Sequence, residues 1–412
     1  MLIRFRFISL LIRRLHSEKA SKLLLQCFRQ WKAELMGLPA PACSGKKLLI
    51  VRLDDIGDYL LFRNTLPVFK KSSRWKDHEI TLLGNIAWKD LFTTLDSDTV
   101  DKSIWVNKTD YLNSGSYRLA IWTQLRQAGY KTVLCPSCTR PLLLDDLCML
   151  ATGAKIALGS VNTFRHSRWN QLSDGLYTDL FRPADPLIHE FSFNARFAEW
   201  SCGASYPGKR PQIAHSLKRQ FTGPYILCFI GANTRSRRWP ARRWIEFIDL
   251  YQKYYSNRII LAGGKNEEEM AKAIQDVTGA ENVVGNVSLH EMIDWVSGAK
   301  AVLTNNTMAA HLSVACNRPA VIIANGDNYI RFTEYGNAGI DNIATIYPEV
   351  FHRRRRRIGD SSLHYTAVSA DIVSIRAAMV LNELEEILQL NEMIEFPVKE
   401  TYLSLQLSDK FV

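Results

Sequence analysis

Three aspartates cluster around one glycine at the end of a predicted strand. The apolar run KLLIV at residues 47–51 has the composition of a buried strand, and RLDDIGDYLLFRN at residues 52–64 follows it directly. Asp54, Asp55 and Asp58 therefore fall where a strand gives way to a helix. One interpretation is a solvated turn with a helix cap. The other is that one of the carboxylates is a general base, and the residue pattern alone leaves both open.

A second strand end combines a glycine with several arginines. The run YILCFIG ends at Gly231 and is followed by ANTRSRRWP, which contains Arg235, Arg237 and Arg238. Glycine lets a ligand approach the backbone closely, and the planar fork of arginine suits phosphate oxygens. The alternative is a basic surface loop that leads into the next helix.

Two further predicted strand ends carry polar residues. LAGGKNEEE places Gly264 at a strand end and Glu267–Glu269 in the first turn of the next helix. Carboxylates there interact favourably with the helix dipole, although one of them could bind ribose hydroxyls instead. Residues 305–307 precede a helix that holds His311, and a helix start of this kind can bind an anion. Simple N-capping and a packed histidine are the alternatives.

Alternating strand and helix patterns must position these residues. From Lys46 onward, short apolar runs alternate with helical stretches, which predicts parallel α/β sheets. The alternation weakens between about 160 and 210 and then restarts. We therefore predict two Rossmann-like, doubly wound domains at 46–208 and 209–365, preceded by a helical extension and linker at 1–45 and followed by a C-terminal helix and tail at 366–412. Two such sheets in series create a central cleft between their strand ends, where ligands bind.

The first 36 residues are basic and amphipathic. Eight lysines and arginines stand against Glu18 and Glu34, and apolar residues recur at spacings of three and four. These residues are Phe5, Ile8, Ile12, Leu15, Leu24, Phe28, Trp31 and Leu35. Such a helix is typical of segments that lie on an anionic membrane, and we predict this contact for residues 1–36. A helix that packs on its own protein is the alternative.

Composition and charge exclude several classes of protein. With 47% hydrophobic and 23% charged residues the chain is neither disordered nor membrane-spanning, and no run approaches the ~20 apolar residues of a transmembrane helix. The formal charge of +11 predicts acidic partners. The run RRRRR at 353–357 is interpreted as a solvated or membrane-facing patch, and nucleic-acid binding is the less favoured alternative.

The cysteines predict a reducing cytoplasm. All eight lack the spacing of a disulfide framework, and a chain of 412 residues does not need such staples. Cys135 and Cys138 form a C-x-x-C motif after a predicted strand, for which redox or metal chemistry is a minor alternative. No G-x-G-x-x-G follows a strand, which argues against a dinucleotide-dependent oxidoreductase.

Five motifs in order resemble one known family. LLIVRLDDIGDYLLFRNTLP, RRWPARRW, LAGGKNEEE, VVGNVSLHEM and LTNNTMAAHLSVACNRPAVII are similar to motifs of the ADP-heptose:lipopolysaccharide heptosyltransferases, glycosyltransferase family nine, over roughly residues 46–350. The resemblance implies a GT-B fold whose first domain binds the acceptor and whose second binds the nucleotide-sugar. It also implies inverting, metal-independent transfer of a heptose or related sugar without a cofactor, from a nucleoside-diphosphate donor such as an ADP-linked one. The implied acceptor is lipid-linked lipopolysaccharide core or another cell-surface glycan, presented at the inner face of the cytoplasmic membrane.

The resemblance also assigns roles to individual residues. Asp58 matches the catalytic base, Arg237 matches a residue that holds donor phosphate, and either Glu267 or Glu268 matches the ribose-binding acid. Further expected donor contacts are Gly231, Arg235, Gly264, Ser288, Leu289, Asn306, Thr307, Met308 and His311. Expected acceptor contacts are Arg52, Gly57, Arg63 and Arg140. Asp54 and Asp55 are expected to remain on the solvent side of the turn.

The chain departs from the family pattern at one motif. The usual Asn-Asp-Ser/Thr-Gly is NNTM here, with Asn306 in place of the acid and Met308 in place of the glycine. A hydrogen bond to an uncharged amide contributes ~0.5–1.5 kcal/mol instead of the ~1.5–3 kcal/mol of a charged partner. We therefore hypothesise a donor other than ADP-heptose. The alternative function is a non-catalytic GT-B protein that binds membrane or nucleic acid through its basic surfaces.

Overall fold

The protein contains two parallel six-stranded sheets. The computed structural model describes residues 18–40, 45–163, 167–214, 218–219, 221–365 and 370–392. The strands of the first sheet are β1 (Lys47–Arg52), β2 (Glu79–Asn85), β3 (Lys102–Val106), β4 (Thr132–Leu134), β5 (Ile156–Ser160) and β6 (Asp179–Phe181). Those of the second are β7 (Tyr225–Phe229), β8 (Arg258–Ala262), β9 (Glu281–Asn282), β10 (Ala301–Asn305), β11 (Ala320–Ile323) and β12 (Ile343–Ile346).

The two sheets share one topology. Their strand orders are β3-β2-β1-β4-β5-β6 and β12-β11-β10-β7-β8-β9, so each domain follows the order 3-2-1-4-5-6 when its own strands are counted from its first. This is the doubly wound Rossmann order, and the predicted fold class is confirmed. The strand order reverses between β1 and β4 in the first sheet and between β7 and β10 in the second. Ligands bind at such switch points in open α/β sheets.

Helices cover both faces of the sheets. Those of the first domain are α1 (Glu18–Met36), α2 (Ile56–Phe62), α3 (Leu66–Lys71), α4 (Lys89–Leu95), α5 (Lys108–Asn113), α6 (Gly115–Ala128), α7 (Leu147–Thr152), α8 (Ser167–Asp174) and α9 (Glu190–Cys202). Those of the second are α10 (Ala241–Tyr254), α11 (Glu268–Thr278), α12 (Leu289–Gly298), α13 (Met308–Ala315), α14 (Glu349–Tyr365) and α15 (Ala377–Glu392). Because both faces are covered, the central strands are continuous apolar runs; Leu48–Val51 of β1 are fully buried.

The apolar face of α1 packs on the first domain. Leu24, Phe28, Trp31 and Leu35 are all at most 2% exposed and belong to the same core cluster as β1. The guanidinium of Arg118 lies 3.6 Å from the centroid of the Trp31 ring. The predicted membrane contact through this face is therefore wrong, because its apolar side chains are already buried in the protein. The remainder of that prediction, residues 1–17, lies outside the described residues.

The C-terminal helix is part of the second domain. Val380, Leu384 and Ile387 of α15 are buried in the core cluster that contains β7 and β8. Before it, α14 carries the five arginines and is interrupted at Gly359, whose φ of 74° breaks the helical backbone. Arg353, Arg354, Arg356 and Arg357 are exposed. Within the described part of the chain, none of the helices is long and apolar enough to cross a membrane.

The two domains meet through side chains near their strand ends. One buried cluster joins Leu61 and Phe191 of the first domain to Ala310 and Tyr335 of the second. Arg63 donates a hydrogen bond to the Gln212 carbonyl oxygen in the segment that connects the domains. The strand ends of both sheets border the space that remains between the domains.

Candidate active site

A cavity of about 660 Å³ lies between the two domains. The first domain contributes residues 55–58 and Ala87, and the second contributes the loops after β7, β8, β9, β10 and β11. The predicted residues that line it are Gly57, Asp58, Gly231, Arg237, Gly264, Glu267, Ser288, Leu289, Asn306, Thr307, Met308 and His311. The predicted residues that do not are Arg52, Arg63, Arg140, Arg235 and Glu268. Loops at the switch points of both sheets therefore line the same cavity.

Glu267 is the carboxylate that faces this cavity. Its Oε2 accepts a hydrogen bond of 3.0 Å from the Gly264 N–H, and its Oε1 lies 3.6 Å from Nη2 of Arg238. A Cβ atom on Gly231 would come within 2.6 Å of the Glu267 side chain, so glycine at this strand tip makes room for the acid. Glu268, the first residue of α11, instead lies against Gly285. The structure therefore selects Glu267 between the two candidates.

The arginines after β7 diverge. Arg237 lines the cavity, where its Nε lies 3.3 Å from Oδ2 of Asp327. Arg235 is exposed and borders a separate surface groove together with Pro240 and Asp371. The prediction of a donor contact by Arg235 does not fit the structure, because the short helical turn at residues 235–237 directs the two side chains to different surfaces.

Two helix N-termini point towards the cavity. Ser288 caps α12 by accepting a hydrogen bond from the Glu291 N–H, and Thr307 caps α13 by accepting one from the Ala309 N–H. Both capping residues and the first residues of both helices line the cavity. The partial positive charge of helix N-termini favours anions such as phosphate.

The side chains of the NNTM motif also contribute to this region. The Asn306 side-chain amide donates a hydrogen bond of 2.9 Å to the Asp327 carbonyl oxygen. A carboxylate at position 306 could not donate this bond, so asparagine fits its surroundings here. Asn305 ties the loop to the neighbouring strand end by donating to the Gly231 carbonyl oxygen at 2.9 Å. Met308 lies on the cavity wall.

His311 is a buried, neutral contact between the domains. Its Nδ1 hydrogen-bonds the Tyr335 hydroxyl, and its ring packs against Gly57, where a Cβ atom would come within 2.6 Å of the ring carbon Cδ2. Burial, together with the nearby His189, lowers the pKa of His311 to about 3. At neutral pH the ring therefore carries no charge to offer a phosphate.

Asp58 occupies the first turn of α2 and faces the cavity. Its Oδ2 accepts a 3.3 Å hydrogen bond from the Asp55 N–H, and its Oδ1 lies 3.6 Å from Nη2 of Arg331. Its side chain is only 17% exposed. Burial raises the pKa of the Asp58 carboxyl above its usual range, and Arg331 opposes the rise. A carboxyl with a raised pKa is a stronger proton acceptor once it is ionised.

The two neighbouring aspartates behave differently from one another. Asp55 is exposed and pairs with Lys108, as expected for a solvent-side turn residue. Asp54 is not on the solvent side. Its side chain is 20% exposed and its Oδ2 lies 2.8 Å from Nε of the fully buried Arg52.

Comparisons with known proteins find sequences similar to the second domain. Residues 187–343 match the sequence model of glycosyltransferase family 9 (heptosyltransferase). The lipopolysaccharide heptosyltransferase 1 of Salmonella typhimurium is 31% identical over 101 residues, which cover 24% of this chain and 32% of that protein. The chain thus aligns with about a third of the length of this curated relative.

Solved structures extend the likeness to the whole fold. A family 9 glycosyltransferase from Veillonella parvula has a TM-score of 0.63 at 16% identity, over 85% of this chain and 100% of its own. The E. coli heptosyltransferase WaaC, solved with ADP, has a TM-score of 0.59 at 20% identity, over 84% and 100%. The likeness to glycosyltransferase family 9 is therefore one of sequence over residues 187–343 and one of fold over about 85% of the chain. The matched segment contains the nucleotide-side loops but begins after Asp58, so the place of Asp58 rests on the geometry.

Three arginines predicted to bind the acceptor lie inside the first domain. Arg52 bonds Glu190, Asn194 and the Pro136 carbonyl. Arg63 makes two 2.8 Å hydrogen bonds to the Asp96 carboxylate. Arg140 bonds Asp174, Ser173 and Ser160 and stacks on Tyr177. All three are at most 5% exposed. Because buried carboxylates and carbonyl oxygens accept their hydrogen bonds, the three guanidinium groups are held away from the cavity.

The two cysteines of the C-x-x-C motif are packed inside the protein. Cys135 and Cys138 are both buried and free, and the Cys138 thiol donates to Oε2 of Glu190 at 3.4 Å. Burial raises the pKa of Cys138 to about 12, so it stays a protonated thiol at neutral pH. The described residues contain no group of three or more His, Cys, Asp or Glu side chains that could hold a metal ion.

The sequence did not single out Arg331 and Glu190, which surround the base. Glu190 opens α9 and is fully buried, and Arg331 follows β11 in the second domain. Arg331 belongs to a polar strand-end loop, NGDNYIRF, of the same kind as the loops that were recognised. Glu190 carries no such local signal, because only the tertiary fold brings it beside the strand ends of the first sheet.

Proposed function

We propose that the protein is an inverting glycosyltransferase that moves a sugar from a nucleoside-diphosphate donor to a hydroxyl group of a lipopolysaccharide-core or related glycan acceptor. One observation carries the proposal. The Asp58 carboxylate faces, across one cavity, a carboxylate, an arginine and two helix N-termini in the arrangement that a nucleotide-sugar requires. The match of residues 187–343 to the model of glycosyltransferase family 9 (heptosyltransferase) supports the same reaction class.

The second domain offers a site for each part of the donor. Glu267 can accept hydrogen bonds from ribose hydroxyls, as acidic residues at this edge of a Rossmann sheet do. Arg237 and the backbone N–H groups at the starts of α12 and α13 can bind the diphosphate. These groups also stabilise the charge that develops on the leaving diphosphate, so the proposed transfer needs neither a metal ion nor a cofactor.

The proposed reaction is a single displacement at the anomeric carbon. The acceptor oxygen forms its bond to this carbon from the face opposite the diphosphate, the bond from the carbon to the phosphate oxygen breaks, and the configuration inverts. Asp58 takes the proton from the acceptor hydroxyl, and the bonding electron pair leaves with the diphosphate. A carboxylate with a raised pKa holds this proton more readily than one of ordinary pKa.

The nucleotide and the sugar of the donor are part of the proposal. The WaaC structure was solved with ADP, which supports an adenine nucleotide. Asn306 and Met308 differ from the family motif and line the diphosphate side of the cavity, which supports a sugar other than the family's heptose. We therefore propose an ADP-linked donor as the first candidate and expect ADP-heptose not to be preferred.

A donor panel tests this proposal. Purified protein is incubated with ADP-heptose, other ADP-sugars and UDP-sugars in the presence of truncated lipopolysaccharide acceptors, and glycan mass and released nucleoside diphosphate are measured. We expect transfer from at least one donor and an inverted anomeric configuration in the product. Clear preference for ADP-heptose would refute the altered donor. If no donor were hydrolysed, transferred or bound, a non-catalytic binding protein would be the better description.

We also propose that the protein works in the cytoplasm, on the inner face of the cytoplasmic membrane. With the apolar face of α1 buried, the exposed arginines of α14 are the stronger support, because a dense basic cluster attracts anionic lipid headgroups. Sedimentation with vesicles containing anionic lipid measures this contact, and a variant with residues 353, 354 and 357 changed to glutamine should lose most of it. Binding of the same variant pair to RNA tests the nucleic-acid alternative.

A further inference from the structure

Arg331 reaches from the second domain into the base side of the cavity. Its Nε donates a 2.8 Å hydrogen bond to Oε2 of Glu190, its Nη1 donates a 3.2 Å bond to the Thr139 hydroxyl, and its Nη2 lies 3.6 Å from Oδ1 of Asp58. All three partners belong to the first domain. The side chain is 16% exposed, so one guanidinium of the nucleotide-side domain fills a polar site of the opposite domain.

The backbone just before Arg331 is strained. Ile330 has a φ of 66°, a left-handed conformation that is a genuine outlier for a β-branched residue, and Asn328 has a φ of 59°. Strained backbone of this kind costs roughly 1–3 kcal/mol and persists where surrounding contacts determine it. Here the Glu190 N–H donates a 2.9 Å hydrogen bond to the Arg331 carbonyl oxygen, so backbone and side chain are both anchored to the start of α9.

Titratable groups of both domains face Asp58. The second domain contributes the cation Arg331 and the neutral His311. The first domain contributes Arg52, Asp54, Asp55 and Glu190, with Lys108 paired to Asp55. Arg52 is engaged by Asp54 and Glu190, and Lys108 is engaged by Asp55. Arg331 is therefore the cation with the nearest direct approach to the Asp58 carboxylate among the ion pairs of the described residues.

The loop that carries Arg331 also touches the donor side. Asp327 pairs with Arg237, and its carbonyl oxygen accepts the hydrogen bond from Asn306. Four residues further on, the same loop contacts Asp58. The segment from Asp327 to Arg331 thus connects the groups that can bind the diphosphate with the carboxylate that can take the proton.

We propose that Arg331 is a positioning residue that holds the Asp58 carboxylate ionised and correctly directed, so that the base is complete only while the nucleotide-side domain is docked on the first domain. The inference rests on the proposed function for its catalytic meaning. Its physical content is an interaction between two side chains and can be measured without turnover.

Two substitutions with opposite expected effects test it. Arg331→Gln removes the cation, so the pKa of Asp58 should rise by about one unit or more, since an opposite charge at this distance lowers a carboxyl pKa by about 1–3 units. Glu190→Gln removes a negative charge near Asp58, so the pKa of Asp58 should fall. The pKa is read by NMR titration of protein labelled with ¹³C at aspartate carboxyl groups, and loss of the signal in Asp58→Asn assigns it.

Two control variants complete the design. Arg331→Lys keeps the charge and should shift the pKa of Asp58 by less than half as much as Arg331→Gln. Arg196→Gln removes a charge from the exposed side of α9 and should leave the pKa of Asp58 unchanged. Circular dichroism of each variant reports whether it is folded.

The readouts separate the inference from the proposed function. With an active donor, the acidic limb of the kcat–pH profile should move with the pKa of Asp58, upward in Arg331→Gln and downward in Glu190→Gln. An unchanged Asp58 pKa in folded Arg331→Gln, or shifts of the same sign in both variants, would overturn the role of Arg331. If the wild-type protein shows no transfer from any donor, the proposed function fails, whereas the NMR titration still decides whether Arg331 controls Asp58.

Discussion

The two walls of the cavity are built on different physical principles. The nucleotide-side wall is made of glycines, capped helix N-termini and few charges, and its polar groups lie in short loops directly after strands. Around Asp58, charge is dense and mostly internally paired, and Glu190 and Arg331 meet although they are 141 residues apart. The ion pairs of the nucleotide-side wall are partly exposed, whereas those around Glu190 are almost fully buried. The comparison teaches that a site for a ligand keeps its charges accessible from the cavity, whereas a site that prepares a base buries them against one another.

Of the predicted effects, loss of the base should be the largest, and it should lower kcat without changing donor affinity. Asp58→Asn removes the proton acceptor and should lower kcat about 10²–10⁴-fold, the usual contribution of general base catalysis. Donor affinity, measured by calorimetry, should stay within about threefold, since the donor groups lie on the other wall. Asp55→Asn, an exposed neighbour in the same turn, provides the matched comparison. Full activity of Asp58→Asn would remove this residue from the mechanism.

Buried and cavity-facing arginines should respond in opposite ways to the same substitution. Arg140→Gln leaves Asp146 and Asp174 without their cation and should lower the free energy of unfolding by about 3–5 kcal/mol, as for other broken buried ion pairs. Arg237→Gln should cost less than ~1 kcal/mol, because its pair with Asp327 is partly exposed.

The affinities should reverse this order. Arg237→Gln should weaken binding of nucleoside diphosphate about tenfold or more, whereas folded Arg140→Gln should bind it normally. Urea unfolding and calorimetric titration measure the two quantities. Normal nucleotide binding by Arg237→Gln would show that the nucleotide-side wall does not use this guanidinium.

Two adjacent glutamates allow a sharper test of the nucleotide-side wall. Glu267→Gln should weaken nucleotide binding about 10–100-fold, because hydrogen bonds to a charged group contribute ~1.5–3 kcal/mol. Glu268→Gln carries the same change one residue later, on a side chain that lies outside the cavity, and should bind nucleotide within about twofold of the wild type. Equal effects from both substitutions would contradict the assignment of the ribose contact to Glu267.

The smallest expected effect concerns a surplus of negative charge in the first domain. Burial and the neighbouring Asp146 raise the pKa of Asp145 to about 7. A carboxyl whose pKa is raised on folding favours the folded state at low pH and loses this contribution as the pH rises from the unfolded pKa of 3.8 through the folded pKa of about 7.

Asp145→Asn should therefore stabilise the protein by about 1 kcal/mol or more at pH 8 relative to its effect at pH 5. Urea unfolding of the two proteins at both pH values measures the difference. A variant that loses stability equally at both pH values would show that Asp145 is ionised and well compensated in the folded protein.

The contrast between the walls also explains what the sequence could predict. Strand and helix periodicity is local, so the two Rossmann-like domains were predictable, as were the strand-end residues Gly231, Glu267 and Thr307 that line the cavity. Arg52 and Arg140 also follow or end strands, but whether an arginine meets a ligand or a buried carboxylate depends on distant partners such as Glu190 and Asp174. For the same reason the approach of Arg331 to Asp58 was not predictable.

The way α1 is attached has a practical consequence for work with this chain. Shortening it to begin at Lys46, where the strand–helix alternation starts, would remove Leu24, Phe28, Trp31 and Leu35 and uncover the surface beneath them, including the Arg118 guanidinium that now stacks on Trp31. Newly exposed apolar surface of this size promotes self-association. Expression plasmids should therefore retain the segment from residue 18. A purification tag should precede this segment and should not replace it.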